Sequence, residues 1–163
     1  MSGALLCYDG SANAARAIEQ AGVLLSGGPA EVLCVWESLG SAILRHSLPG
    51  QDLKEISGEI VDHVDNDVRK RAEAIAAKGS ELAVAAGFEA QPLALRALAG
   101  AAERDETTIS RAVVAAAEEQ DASVVVLGTR GRGGVRSVLL GSVSHGVVHH
   151  CRRPLLVVPP QEA

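Results

Sequence analysis

The chain has 163 residues, of which 47% are hydrophobic and 2% aromatic, and a formal net charge of −5 at pH 7. This length suits one domain with its own core, so we expect a single domain over residues 1–163. The acidic balance and the scarcity of rings argue against a nucleic-acid partner, because such proteins neutralise phosphates with Lys and Arg and stack bases on aromatic side chains. No apolar run approaches the roughly 20 residues of a membrane span, and the first residues lack the features of a signal peptide. We therefore expect a cytoplasmic protein with no membrane partner.

The first part of the chain predicts a strand, a helix and a second strand. Ala4 to Tyr8 is an apolar strand that ends in a turn and helix cap, Asp9-Gly10-Ser11. Apolar residues then recur at helical spacing from Ala14 to Leu25, until Gly27-Gly28-Pro29 ends the helix. Glu31 to Trp36 is nearly continuous in apolar residues and predicts a second strand, parallel to the first.

The middle of the chain predicts a loop and one long helix. Residues 37–51 contain Gly, Ser and Pro without periodicity, which indicates a loop. An apolar stripe at helical spacing follows, and its members are Leu53, Ile56, Ile60, Val64, Val68, Ala72, Ile75 and Leu82. The same helix carries Asp62, His63, Asp65 and Asp67. Their spacing scatters them around the polar side, so we expect a solvated face and no metal site. Gly58 and Gly79 are expected to weaken the helix by about 1 kcal/mol each.

The last part of the chain predicts three further strands and two helices. In chain order these are a strand from Ala90 to Leu98, a helix from Ile109 after the caps and acids at residues 105–108, a strand from Val124 to Leu127, a helical segment from Val143 to Cys151 and a strand from Pro154 to Val158. The Ala-rich stretch at 99–105 is irregular, and its local fold stays open.

The fourth strand stops at a glycine-rich stretch. A residue without Cβ tolerates positive φ and leaves backbone N–H groups free to face an anion. Gly141-Ser142 also opens the next helical segment, whose first amides and positive dipole end would face the same loop. A local basic cluster lies within this acidic chain: Arg130, Arg132, Arg136, Arg152 and Arg153. The stretch predicts a site for a small phosphate-bearing ligand, and the alternative is a glycine-rich turn followed by a capping serine.

The spacing Gly128-x2-Gly131-x9-Gly141-Ser142 resembles the nucleotide-binding signature of the universal stress protein family. The flanking strands and the N-terminal Tyr8-Asp9-Gly10-Ser11 fit the same family. The resemblance implies an α/β fold, a doubly wound five-stranded parallel sheet of order 3-2-1-4-5, of the adenine nucleotide alpha hydrolase-like (Rossmann-like) type. It places a ligand crevice between strands one and four.

The resemblance also implies an adenine-nucleotide ligand, ATP alone or with Mg²⁺, and a set of binding residues. Carried over by position, the adenosine end is Asp9, Val35 and Gly128, and the phosphate end is Arg130, Gly131, Gly141, Ser142 and Val143. Asp9 can accept hydrogen bonds from a ribose hydroxyl or an adenine amino group. Its alternative role is to shape its own turn.

Other phosphate-binding and catalytic motifs do not fit. The chain has no GxxxxGK[ST], and Gly131-x-Gly133 is not completed, since Arg136 stands three residues on. His145 and His149 share a helix face, but without an acidic partner at matched spacing we expect no metal site. No catalytic set is recognisable, so we expect a protein that is not an enzyme, with slow ATP hydrolysis as the most it does.

The fifth strand predicts the assembly. Leu155 to Val158 lies at an edge in the implied order and is too apolar for an edge left in water. The resemblance implies a homodimer through this strand. The predicted function is a homodimeric, ATP-binding stress-response regulator whose glycine loop is ordered by nucleotide. Two alternatives remain: a sensor of cyclic AMP or AMP, and a nucleotide-free dimer that acts by protein contact.

Overall fold

The computed structural model describes residues 3–39, 58–98, 107–129 and 140–160. Strands and helices alternate along these residues. The strands are β1 (Ala4–Cys7), β2 (Gly28–Glu37), β3 (Phe88–Ala97), β4 (Val124–Gly128) and β5 (Leu155–Val158). The helices are α1 (Ala12–Leu25), α2 (Gly58–Ala85), α3 (Thr108–Glu119) and α4 (Ser142–His150).

The five strands form one parallel sheet in the order β3-β2-β1-β4-β5. This confirms the predicted doubly wound architecture. The chain reverses its direction of travel across the sheet at β1, which pairs with β2 on one side and β4 on the other. Such a switch point leaves a crevice outside the carboxyl ends of the two flanking strands.

Helices cover both faces of the sheet. Neighbouring residues of a strand point to opposite faces, and both Leu5 and Leu6 are almost fully buried. Leu6 packs in a cluster with residues of α1 and α2. Leu5 packs in a second cluster with residues of α3 and α4. The sheet is therefore buried on both sides, which explains why its central strands are continuous apolar runs.

Two strands begin earlier than the sequence predicts: β2, and β3, which begins at Phe88 and not at Ala90. The predicted start of β2 was Glu31, with Gly28 in the turn that ends α1, but β2 begins at Gly28, which is level with Phe88 of β3. The backbone reverses at once after α1, because Ser26, Gly27 and Gly28 all have positive φ angles, of 60°, 79° and 103°. Pairing with β3 then extends the strand into residues that look like a turn by local composition.

Gly79 is a close-packing position as well as a poor helix former. A Cβ at this residue would lie 2.5 Å from Cδ1 of Tyr8 and 2.7 Å from Cγ1 of Val32. Both atoms belong to the central part of the sheet side that α2 covers. The absence of a side chain lets α2 approach the sheet closely at this point.

The prediction of a solvated polar face on α2 was wrong for Asp65. Its side chain is only 16% exposed, and it lies two helical turns before the buried Ala72, on the same stripe. The Asp65 carboxylate accepts a hydrogen bond from the Leu39 backbone N–H at 2.6 Å. It also pairs with Arg96 at 3.8 Å, and the Arg96 guanidinium lies 5.7 Å from the centre of the Trp36 ring.

The N-terminal part of α2 differs from the predicted stripe in a second way. Ile60, expected on the buried side, is 56% exposed. His63 and Asp67 are exposed as expected and form an i, i+4 pair. Leu53 and Ile56 lie outside the described residues. Within the described ranges, no helix is long and apolar enough to cross a membrane.

Candidate functional site

The carboxyl ends of β1 and β4 meet at the switch point of the sheet. Leu6 of β1 is level with Val126 of β4. Asp9 follows β1 by two residues, and Gly128 ends β4, so both stand at the same edge of the sheet. This is where α/β sheets of this kind bind ligands.

Gly128 is tightly enclosed on the α1 side. A Cβ at this position would lie 2.4 Å from the side-chain nitrogen of Asn13. The Gly128 carbonyl accepts a hydrogen bond from the Ser144 hydroxyl of α4 at 2.8 Å. Gly128 therefore lets the start of α1, the end of β4 and the first turn of α4 come together.

The two ends of the β4–α4 connection are joined to each other. The Gly141 N–H donates to the Thr129 carbonyl at 2.7 Å, and the Thr129 N–H donates to the Val158 carbonyl of β5 at 2.9 Å. With the Ser144 bond, these contacts fix where α4 begins relative to the end of β4. The loop between these two points carries the predicted residues Arg130 and Gly131, which lie outside the described residues.

The N-terminus of α4 lacks a side-chain cap within the described part of the chain. Its N-cap residue is Gly141, which has no side chain to accept from the first amides. By contrast, Ser11 caps α1 and Thr107 caps α3 in a capping box with Ser110. The first backbone N–H groups of a helix need acceptors, and together with the helix dipole they favour an anion. Ser142 is exposed and Val143 half-buried in this first turn.

On the other side of the crevice, β2 extends past the end of β1. The paired residues of β1 and β2 end at Cys7 and Leu33, whereas the pairing of β2 with β3 continues to Glu37. Among the described residues, only the β3 side of Val35 to Glu37 is therefore covered by a strand. The Leu33 carbonyl on this side accepts from the Tyr8 N–H, so the backbone groups of Val35, two residues on, point the same way and can pair with a flat polar ligand edge.

An apolar floor lies beneath the carboxyl edge on the α3/α4 side. Cys7, Val35 and Val143 all pack against the same buried cluster. Burial, followed by the neighbouring Cys151 and Asp9, raises the pKa of the Cys7 thiol from 9.0 to about 12. Cys7 is thus a neutral, unreactive side chain near neutral pH, and it suits an apolar surface under a ligand.

Asp9 performs the turn-shaping role that the sequence offered as an alternative. Its Oδ1 accepts a hydrogen bond from the Ser11 N–H at 2.9 Å. This contact orders the chain between β1 and the cap of α1. A carboxylate can accept several hydrogen bonds, so this role leaves Asp9 able to accept from a ligand as well.

Six of the eight predicted site residues lie in the described part of the chain, and the fold brings them to one edge of the sheet: Asp9, Val35, Gly128, Gly141, Ser142 and Val143. Thr129 was not among the predicted site residues, and its hydroxyl is buried without a hydrogen-bond partner among the described residues. Ser144 was not among them either. The positions of both within the glycine stretch were the available signal.

The histidine pair of α4 forms a ring contact. The rings of His145 and His149 are 4.4 Å apart between centroids and tilted by 44°. In the described ranges, no group of three or more His, Cys, Asp or Glu residues is arranged to hold a metal ion.

The fold is that of a doubly wound α/β protein with a crevice at the switch point of its parallel sheet. The sequence profile of the universal stress protein family matches residues 3–159. The chain therefore belongs to the universal stress protein family, which confirms the predicted family.

Known relatives match this chain over nearly its whole length. The chain is 27% identical over 154 residues to the universal stress protein YxiE of Bacillus subtilis, covering 94% of this chain and 96% of that protein. A solved structure of a universal stress protein in complex with cAMP is 22% identical, with a TM-score of 0.56 and 96% of each chain covered. The universal stress protein of Archaeoglobus fulgidus in complex with dAMP is 20% identical, with a TM-score of 0.55 and 97% and 98% covered. At these identities the two structures show the shared fold.

Proposed function

We propose that this universal stress protein binds an adenine nucleotide, ATP in the first place, across the crevice at the carboxyl edge of β1, β2 and β4. The observation that carries this proposal is the uncapped N-terminus of α4, held against the end of β4 at the switch point of the sheet. A charged phosphate would be an acceptor for the amides that no side chain of the described residues caps.

The phosphate end lies at the first turn of α4. The N-cap residue, Gly141, has no side chain that could occupy the space in front of the helix. The N–H groups of Ser142 and Val143 follow at the helix start. Arg130 and Gly131 belong to the same end by their resemblance to the family signature. The Thr129 hydroxyl, which has no hydrogen-bond partner among the described residues, adds a donor and an acceptor close to this turn.

The adenosine end lies between Asp9 and the overhanging end of β2. An adenine ring is flat and carries a donor and acceptors on its edge, so it matches the uncovered backbone edge near Val35. The apolar floor with Cys7 supports one face of such a ring. Asp9 would accept from the ribose hydroxyls.

The binding free energy of a nucleotide complex requires that these contacts act together. A charge at a helix N-terminus contributes about 0.3–2 kcal/mol, whereas a micromolar complex needs about 8 kcal/mol. Several amides, the cationic side chains, the ribose contact and burial of the base are all needed. A single substitution in this set should therefore weaken binding without abolishing it.

AMP or cyclic AMP is the second candidate ligand. Two structures of the same fold are complexes with cAMP and with dAMP. ATP, AMP and cyclic AMP share the adenine and ribose parts that Asp9 and Val35 would contact, and they differ in the phosphate charge that would reach α4. Competition between ATP and cyclic AMP in one titration decides between the candidates.

We further propose that two chains pair through β5. The Val125 and Thr129 N–H groups donate to the carbonyls of Pro154 and Val158. Since consecutive residues of a strand face opposite sides, the backbone groups of Leu155 and Val157 point away from β4 to the open edge. The other edge strand, β3, carries Pro92, which cannot donate a ladder hydrogen bond. The strand β5, Leu155–Val158, contains no proline.

A charge placed at the N-terminus of α4 tests the nucleotide site. In Ser142→Glu the new carboxylate would occupy the exposed first turn, where it stabilises the helix but repels phosphate. We expect unchanged or slightly raised thermal stability and at least about tenfold weaker ATP binding, measured by calorimetry. Ala77→Glu adds the same charge at an exposed position in the middle of α2 and should leave ATP affinity unchanged. Equal ATP affinity in the two variants would contradict the placement of the phosphates.

A further inference from the structure

Glu37 is the last residue of β2 and lies on the same strand face as Val35. The last β1–β2 pair is Cys7 and Leu33, and two residues beyond it stand Asp9 and Val35. Glu37 is one further step along β2, roughly 7 Å past Val35 at the usual rise of a strand. A nucleoside whose ribose meets Asp9 and whose base lies along the β2 backbone at Val35 therefore extends toward Glu37.

The Glu37 side chain is held in place by the start of α3. The hydroxyl of Thr108, the first residue of α3, donates to Glu37 Oε1. Thr108 is buried, and Glu37 is half-buried. The start of α3 is itself fixed by the Thr107 and Ser110 capping box. A carboxylate is also favoured at a helix N-terminus. Glu37 is thus a fixed acceptor at the end of the crevice.

We propose that Glu37 selects the base, by accepting a hydrogen bond from the exocyclic amino group of adenine. This inference rests on the proposed function and adds its base specificity. A carboxylate only accepts hydrogen bonds, so it favours a purine with an amino group at position 6. A purine with a carbonyl there, as in inosine or guanine nucleotides, would place two acceptors against each other.

The test compares ATP with inosine triphosphate, which differs from ATP at this position of the base. In the wild-type chain we expect ATP to bind at least about tenfold more tightly, the effect of one hydrogen bond to a charged acceptor. This comparison needs no variant and is independent of any effect on folding. Calorimetric titration gives both dissociation constants under the same conditions.

Two variants separate base selection from a structural role. In Glu37→Gln the amide can turn its NH₂ toward a carbonyl, so the preference for ATP should fall to near equality or reverse. Thr108→Val removes the hydroxyl that holds Glu37 but keeps the carboxylate and the side-chain volume. It should keep a preference for ATP, weaker than in the wild-type chain because Glu37 is no longer fixed, whereas Glu37→Gln should lose or reverse the preference. Thermal melting of each variant shows whether the fold is retained.

The outcomes are distinct. Equal affinity of the wild-type chain for both nucleotides, or a Glu37→Gln variant with the wild-type ratio, overturns the role of Glu37 and leaves the proposed nucleotide site standing. Binding of neither nucleotide overturns the proposed function, and the role of Glu37 with it.

Discussion

Gly79 shows how one residue sets the distance between a helix and the sheet. From helix propensity alone, we would expect Gly79→Ala to stabilise α2 by about 1 kcal/mol. The structure reverses this expectation, because the added Cβ would meet the ring of Tyr8 at 2.5 Å. We expect Gly79→Ala to lower the free energy of unfolding by about 1–3 kcal/mol through overpacking. Denaturant titration measures this change.

The exposed Ala77 of the same helix is the matched control. Ala77→Gly should also destabilise, by about 0.5–1 kcal/mol, since propensity alone acts there. Gly79→Ala and Ala77→Gly are opposite exchanges, and both would thus lower the free energy of unfolding. A more stable Gly79→Ala protein would show that α2 has room to move away from the sheet.

At the scale of elements, Asp65 joins α2 to the ends of β2 and β3. It accepts from Leu39 after β2 and pairs with Arg96 in β3. Removal of this carboxylate leaves a part-buried N–H without its acceptor, so we expect Asp65→Ala to cost about 1–3 kcal/mol of unfolding free energy. Asp67→Ala, at a side chain 63% exposed, should cost less than about 0.5 kcal/mol. Equal effects of the two would mean that the Asp65 contacts contribute nothing to stability.

The elements themselves were largely predictable from the sequence. Buried strands of a parallel sheet are continuous apolar runs, so β1, β4 and β5 could be located closely. The start of β2 could not, because Gly28 belongs to a turn by composition and to a strand only through its pairing with Phe88. Asp65 was likewise misplaced, since a charged residue on an apolar stripe is recognised only when its partners from distant strands are known.

The candidate site was predictable to the extent that its motif is local. The glycine spacing around Gly128 and Gly141 predicts the phosphate end of the proposed site, and Asp9 stands at the end of a predicted strand. The overhang of β2 beyond β1 depends on the register of three strands. Glu37 and Thr108 are 71 residues apart, so no local pattern could bring them together.

At the scale of the whole molecule, the open edge of β5 is the feature that predicts assembly. Val157→Pro would remove an N–H that points to this open edge, while the ladder to β4 uses its neighbours. We expect the variant to remain folded, because the edge strand β3 also accommodates a proline, Pro92. We expect it to sediment as a monomer under conditions in which the wild-type chain sediments as a dimer. Leu156→Pro would break the ladder to β4 and should destabilise the fold. A folded Val157→Pro dimer would place the interface elsewhere.

The most direct test of a nucleotide-binding dimer is native mass spectrometry of the chain, purified without added nucleotide and then titrated with ATP. We expect a dimer that carries one adenine nucleotide per chain, and the added mass identifies which nucleotide is bound. A chain that stays empty at saturating ATP, AMP and cyclic AMP would contradict the proposed site at the carboxyl edge of the sheet.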